Sequence, residues 1–126
     1  MKPIQLRSNF IEVDFKDADG NVAFTIRFDR KDKNIERLLN FEKEFEELNK
    51  GFNEETATLE EKKTYVKTVV DSFLEPGSFE KLYTSNPSLE IVMVYLFQII
   101  IGIKEELEAE DLKALENKYL DRKSVV

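Results

Sequence analysis

The chain contains no cysteine, no histidine and no tryptophan. Without cysteine it has neither a disulfide framework nor a thiolate nucleophile. Without histidine it lacks the commonest general base at neutral pH and the commonest transition-metal ligand. Glycine is sparse, and Gly20, Gly51, Gly77 and Gly102 stand too far apart to form a glycine-rich phosphate cradle. Positive charge is also in deficit: 19 Lys plus Arg stand against 26 Asp plus Glu, a net charge of −7. Binding to phosphate backbones is driven by basic side chains that displace counterions, so nucleic acid and anionic membrane are poor partners. No cofactor is implied and no catalytic constellation is visible, which points away from an enzyme and towards a protein that binds other protein.

What is present fits one small acidic domain. A chain of 126 residues has the size of a single domain and buries enough surface for one core. No signal peptide is seen at the amino end, so cytoplasm is the expected compartment. The pattern predicts an α+β fold: an antiparallel β-hairpin over about residues 10–29, then a bundle of about four α-helices over residues 32–120, then a frayed tail at residues 121–126. In the hairpin, Ile11, Val13 and Phe15 share one face, and Val22, Phe24, Ile26 and Phe28 resume the alternation after a turn built from Asp17, Asp19, Gly20 and Asn21. Glu12, Asp14, Thr25 and Arg27 then face the other way. An isolated two-stranded ribbon is marginal in water, so helices or a partner must cover its apolar face. Ile4 and Leu6 are read as a short preceding strand.

Helix signals follow. Asp32 or Asn34 is read as an N-cap of a first helix carrying Ile35, Leu38, Leu39, Phe41, Phe45, Leu48 and Phe52 at three-and-four spacing, with Gly51 as its stop. Thr58 and Glu61 form a capping box for a second helix whose stripe is Tyr65, Val66, Val69, Val70 and Phe73. Glu75, Pro76 and Gly77 break it, and Ser78 is read as the cap of a short turn holding Phe79, Leu82 and Tyr83. Asn86 and Pro87 are read as an N-cap and first-turn proline opening the next segment.

That segment is the least ordinary part of the sequence. Eleven of the thirteen residues from 91 to 103 are apolar, broken only by Gln98 and Gly102. As a helix they cover about 20 Å, too short for the hydrocarbon slab of roughly 30 Å, so no membrane span is expected. Either the segment is enclosed by hairpin and helices, or part of it faces a subunit or client. A charged helix over residues 104–119 follows, with Leu107, Leu112, Leu115 and Tyr119 as a thin stripe.

Two chemical readings are weaker than their structural rivals. Aligning Gly20 with a calcium-loop glycine puts Phe15 at the first ligand position and Ile26 at the bidentate one, so a hairpin turn is the better reading of residues 17–20. Runs such as Glu42, Glu44, Glu46 and Glu47, or Glu105, Glu106, Glu108, Glu110 and Asp111, read as solvated helix faces rather than acid–base pairs. No metal site is expected.

The stretch from Val70, Asp71, Ser72, Phe73, Leu74, Glu75, Pro76 and Gly77 to Ser78, Phe79, Glu80, Lys81, Leu82 and Tyr83, followed by Asn86, Pro87, Ser88, Leu89 and then Leu96, Phe97, Gln98, Ile99 and Ile100, resembles small tail assembly chaperones of siphophages and prophages in Gram-positive bacteria. Size, acidity and the preceding hairpin resemble them too. The resemblance implies a protein of the host cytoplasm, absent from the mature virion, which binds the tape measure protein, recruits tail tube subunits and forms homo-oligomers. It implies no defined functional residues. Candidate protein-binding positions therefore come from apolar surface: Phe41, Phe45, Phe52, Leu112, Leu115 and Tyr119. The alternative is an acidic phage-encoded inhibitor that mimics nucleic acid and occupies a basic host protein; aligned carboxylates would favour it, apolar grooves the chaperone.

Overall fold

Asp17 holds the first turn of the chain. Its Oδ1 accepts from the backbone N–H of Asp19 at 2.9 Å and of Asn21 at 3.0 Å, and Gly20 supplies the positive φ of 84° that the turn requires. The carboxylate is thus occupied by backbone, as a hairpin turn demands. The structure, a computed structural model, describes the backbone of residues 1–124 and the side chains of residues 1–109. The turn joins β1 (Phe10–Lys16) to β2 (Val22–Asp29), and α1 (Asp32–Leu39), α2 (Phe41–Asn49), α3 (Leu59–Phe73), α4 (Ser78–Ser85) and α5 (Leu89–Ser124) follow. The fold is α+β, an antiparallel two-stranded sheet with helices packed on one face.

The register pairs Ile11 with Phe28, Val13 with Ile26 and Phe15 with Phe24, so the alternating apolar positions do share the inner face. Phe15 and Phe24 stack at 4.8 Å, and Phe15 meets the edge of Tyr95 on α5 at 5.5 Å. The outer face carries Glu12 near Arg27 and a 2.9 Å bond from the Thr25 hydroxyl to Asp14. Val22 departs from the expected pattern. A bulge after Phe15 sets it opposite Lys16, out of phase with the inner face, and it is exposed. Ile4 and Leu6 form no strand and are exposed.

The single first helix expected from periodicity is two. Asn40 leaves helical geometry at φ −100° and ψ 28°, and its side-chain amide donates to the Glu36 carbonyl at 3.0 Å, which ends α1. Periodicity across Leu38 and Phe41 hid the break. Neither Asp32 nor Asn34 is the cap: Lys31 occupies that position, held because Asp29 Oδ1 accepts from its N–H at 3.2 Å. Arg37 then ties α1 to the end of α3, donating to the Ser72 carbonyl at 2.9 Å and to its hydroxyl. Helix α2 ends just before Gly51, whose φ is 79°.

Helix α3 starts at the expected cap. The Thr58 hydroxyl accepts from the Glu61 N–H at 3.2 Å, and the same hydroxyl meets the Glu61 carboxylate. Thr58→Ala should cost about 1 kcal/mol, read as a lower urea midpoint at unchanged slope. Between α3 and α4 the expected role of Ser78 moves to another residue. Gly77, at φ 93°, is the cap position, and Ser78 is the first helical residue, its hydroxyl donating back to the Glu75 carbonyl at 2.5 Å. Asp71 on α3 serves the start of α4, its Oδ1 accepting from the Phe79 N–H at 3.0 Å.

Asn86 and Pro87 belong to the connection rather than the cap. Asn86 closes α4, and Ser88 stands at the entrance to α5, its carbonyl accepting from Val92 N–H at 3.0 Å. From there α5 runs without interruption through Gly102, merging the greasy segment with the charged tail in one helix of 36 residues, about 54 Å long at 1.5 Å per residue. Among the described residues no helix is long and apolar enough to cross a membrane. The core lies between hairpin and helices, with Ile26, Leu38, Val69, Val70, Phe79, Leu82, Val92 and Leu96 fully enclosed.

Candidate functional site

The run from 91 to 103 divides between inside and outside. Val92, Leu96, Ile99, Ile100 and Ile103 are buried, while Val94 is 43% exposed, Phe97 38% and Ile101 57%. Spaced by three and four residues, the exposed set forms a second apolar stripe along α5. Gln98 and Gly102, both exposed, are the only members of the run that are not apolar, and two positions near its carboxyl end mark too little of a face to divide the rest, so sequence reasoning missed Val94, Phe97 and Ile101 as surface.

The stripe opens into a cleft of about 590 Å³ between α2, α3 and α5. Phe45 and Asn49 form the α2 wall, continued by Phe52 and Glu54 in the loop. Helix α3 contributes Lys62, Tyr65 and Val66, and α5 contributes Leu89, Glu90, Met93, Val94 and Phe97. The helical members are placed by their helices: Phe45 follows buried Phe41 by one turn, and Val66 precedes buried Val69 and Val70.

Aromatic contacts hold the walls. Phe41 meets Phe73 at 4.8 Å and Phe97 at 5.8 Å, both edge-on, and Phe45 meets Phe97 at 6.1 Å. Across the cleft Phe52 stacks on Tyr65 at 4.1 Å, and the Tyr65 hydroxyl donates to Asn49 Oδ1 at 2.8 Å, fixing α3 to the end of α2. Burial of the phenol, with the nearby Glu54 charge adding to it, holds Tyr65 above the ordinary tyrosine value of 10.0. The unfolded chain therefore ionises first, and this contribution to stability is present below pH 10 and lost as pH rises through the folded value. Absorbance titration against Tyr65→Phe should show one phenol titrating late.

Of the six candidate positions, Phe45 and Phe52 line the cleft together. Phe41 does not. At 7% exposure it is core beneath the α2 wall, and its part is to brace Phe45 and Phe97 rather than to touch a partner. Leu112, Leu115 and Tyr119, like the tail at residues 121–126, lie outside the residues whose side chains are described.

The chemistry on offer is that of a surface. The two acids of the cleft, Glu54 and Glu90, are both exposed, and among the described residues no three carboxylates converge as metal ligands. A floor of phenylalanine, valine and methionine, open on one side, suits an apolar helical face. No family model matches the chain, and no curated protein and no solved structure matches it.

Proposed function

We propose that the chain is a phage tail assembly chaperone which holds the tape measure protein and recruits tail tube subunits, acting in the host cytoplasm as a homo-oligomer and without catalysis. The observation that supports the binding part is the α2–α3–α5 cleft continuous with the exposed stripe Val94, Phe97 and Ile101. Apolar surface gathered into one open groove is costly to leave in water and is the form that receives an amphipathic helix. The phage part rests on the sequence resemblance around Val70 to Tyr83 and Leu96 to Ile100. A tape measure protein is long and helical by that resemblance, and needs its apolar stripes covered until the tube forms around it.

Co-expression with the tape measure protein tests the reading. The client should stay in the supernatant with this chain and precipitate without it; equal insolubility in both cases sinks the idea. The nucleic-acid-mimic alternative is less well supported. The α2–α3–α5 cleft is lined mostly by apolar side chains, and carboxylates such as Glu12, Glu47 and Glu80 lie beside Arg27, Lys50 and Lys67 rather than forming an unbroken acidic face.

A further inference from the structure

The cleft has an acidic rim, and the rim constrains what lies in it. On α2 the position of Phe45 in the wall sets its neighbours. At 100° per residue, Glu42 and Glu46 fall about 60° and 100° from Phe45, on the side of Asn49 and away from buried Phe41, and both are exposed. Glu54 and Glu90 line the cleft itself. Beyond Ile101 the same face of α5 continues through Glu105 and Glu108, four and seven residues on and also exposed. Two cations interrupt this frame: Lys62 in the cleft and half-buried Lys104 on α5. From Leu89 to Ile101 the apolar track is about 18 Å long, the span of three helical turns.

We propose that the occupant of this groove is an amphipathic helix of about three turns whose apolar stripe is flanked by lysine or arginine. The proposal rests on reading the groove as a polypeptide site and names the chemistry of what it takes. Leucine-type side chains at three-and-four spacing enter between Phe45, Phe52, Met93 and Phe97, and basic flanks meet Glu42, Glu46, Glu54 and Glu90. A second copy of this chain is the poorer occupant, because it brings the same carboxylates to the same rim on a molecule of net charge −7. Opposite charge at the rim steers encounter and selects the partner, while the apolar floor supplies most of the hold.

Two labelled 18-residue peptides test it, identical in a leucine stripe and differing only in lysine or glutamate flanks, titrated against the full chain by fluorescence anisotropy. The lysine-flanked peptide should bind at least tenfold more tightly at low salt, with the gap closing at high salt. It should shift the backbone amide resonances of Val94 and Phe97. The variant Glu54→Lys/Glu90→Lys, checked for unchanged circular dichroism, should lose or invert the preference. Equal binding of the two peptides, tighter binding of the glutamate form, or no binding of either overturns the proposal. So does a chain that dimerises through this face, seen as Val94→Gln converting dimer to monomer. If the peptides fail to discriminate while the tape measure protein is still kept in solution, the chaperone reading stands without this refinement. If they discriminate and the client precipitates, the converse holds.

Discussion

Phe79→Ala should lower stability by roughly 3–5 kcal/mol, the cost of removing a large ring from a site that cannot collapse around the hole. Phe79 is fully enclosed, stacks on Tyr83 at 5.2 Å, and stands in the first turn of α4, where Asp71 of α3 holds its N–H. Its loss therefore strikes core packing and the α3–α4 junction together. Set against a typical domain stability of 5–15 kcal/mol, the change takes a large share of the whole. Calorimetry should register a fall in Tm of roughly 12–20 °C for a chain of this size. A fall of only a few degrees would mean that Phe79 is not at the packing centre.

The second large effect is on binding and leaves the fold alone. Val94→Gln/Ile101→Gln replaces two exposed aliphatic side chains with polar ones that tolerate a helix, so the thermal midpoint should move by no more than a few degrees. Each side chain buried under a client is worth about 1.5–3 kcal/mol when fully covered. Partial cover of both then predicts a loss of roughly a hundredfold in affinity for a leucine-striped helix. No charge is altered, so the result bears on the apolar track and is independent of the rim. Affinity within a factor of two of the unaltered chain would place the contact elsewhere.

Local signals in the sequence marked the elements whose stability is local. The hairpin was legible because alternation and the turn residues agree, and α3 because Thr58 and Glu61 declare its start. The errors share a physical origin in competition between neighbouring signals. Asn40 ends α1 by turning its amide back on Glu36, a hydrogen bond that apolar spacing cannot reveal. Ser88 displaces the more conspicuous Asn86 and Pro87 at the head of α5. Val22 keeps the right alternation by count and loses it to a one-residue bulge. At the cleft, Phe45 and Phe52 were found from helical spacing. Phe41 came with them because spacing identifies a face, and only tertiary packing says which part of the face is roofed over. Met93, Val94 and Phe97 sit in a run whose only interruptions, Gln98 and Gly102, come after them, so the stretch they occupy carries no direction of its own.

Among the described residues the hairpin pairs with no third strand. Each strand is a sheet margin, with backbone donors and acceptors available to a foreign strand. The two margins are guarded differently. Helix α4 packs against β2, and the Lys81 ammonium donates to the Thr25 carbonyl at 3.1 Å, so that flank is screened by the molecule's own side chains. The β1 flank carries Glu12, Asp14 and Lys16 on the outer face of the ribbon, where an identical strand in parallel register would set like charges side by side, whereas an antiparallel one centred on Asp14 would set Glu12 against Lys16. Charge on β1 thus disfavours a parallel mate of the same sequence and leaves the antiparallel one to be decided by the middle carboxylate, Asp14, meeting its own copy.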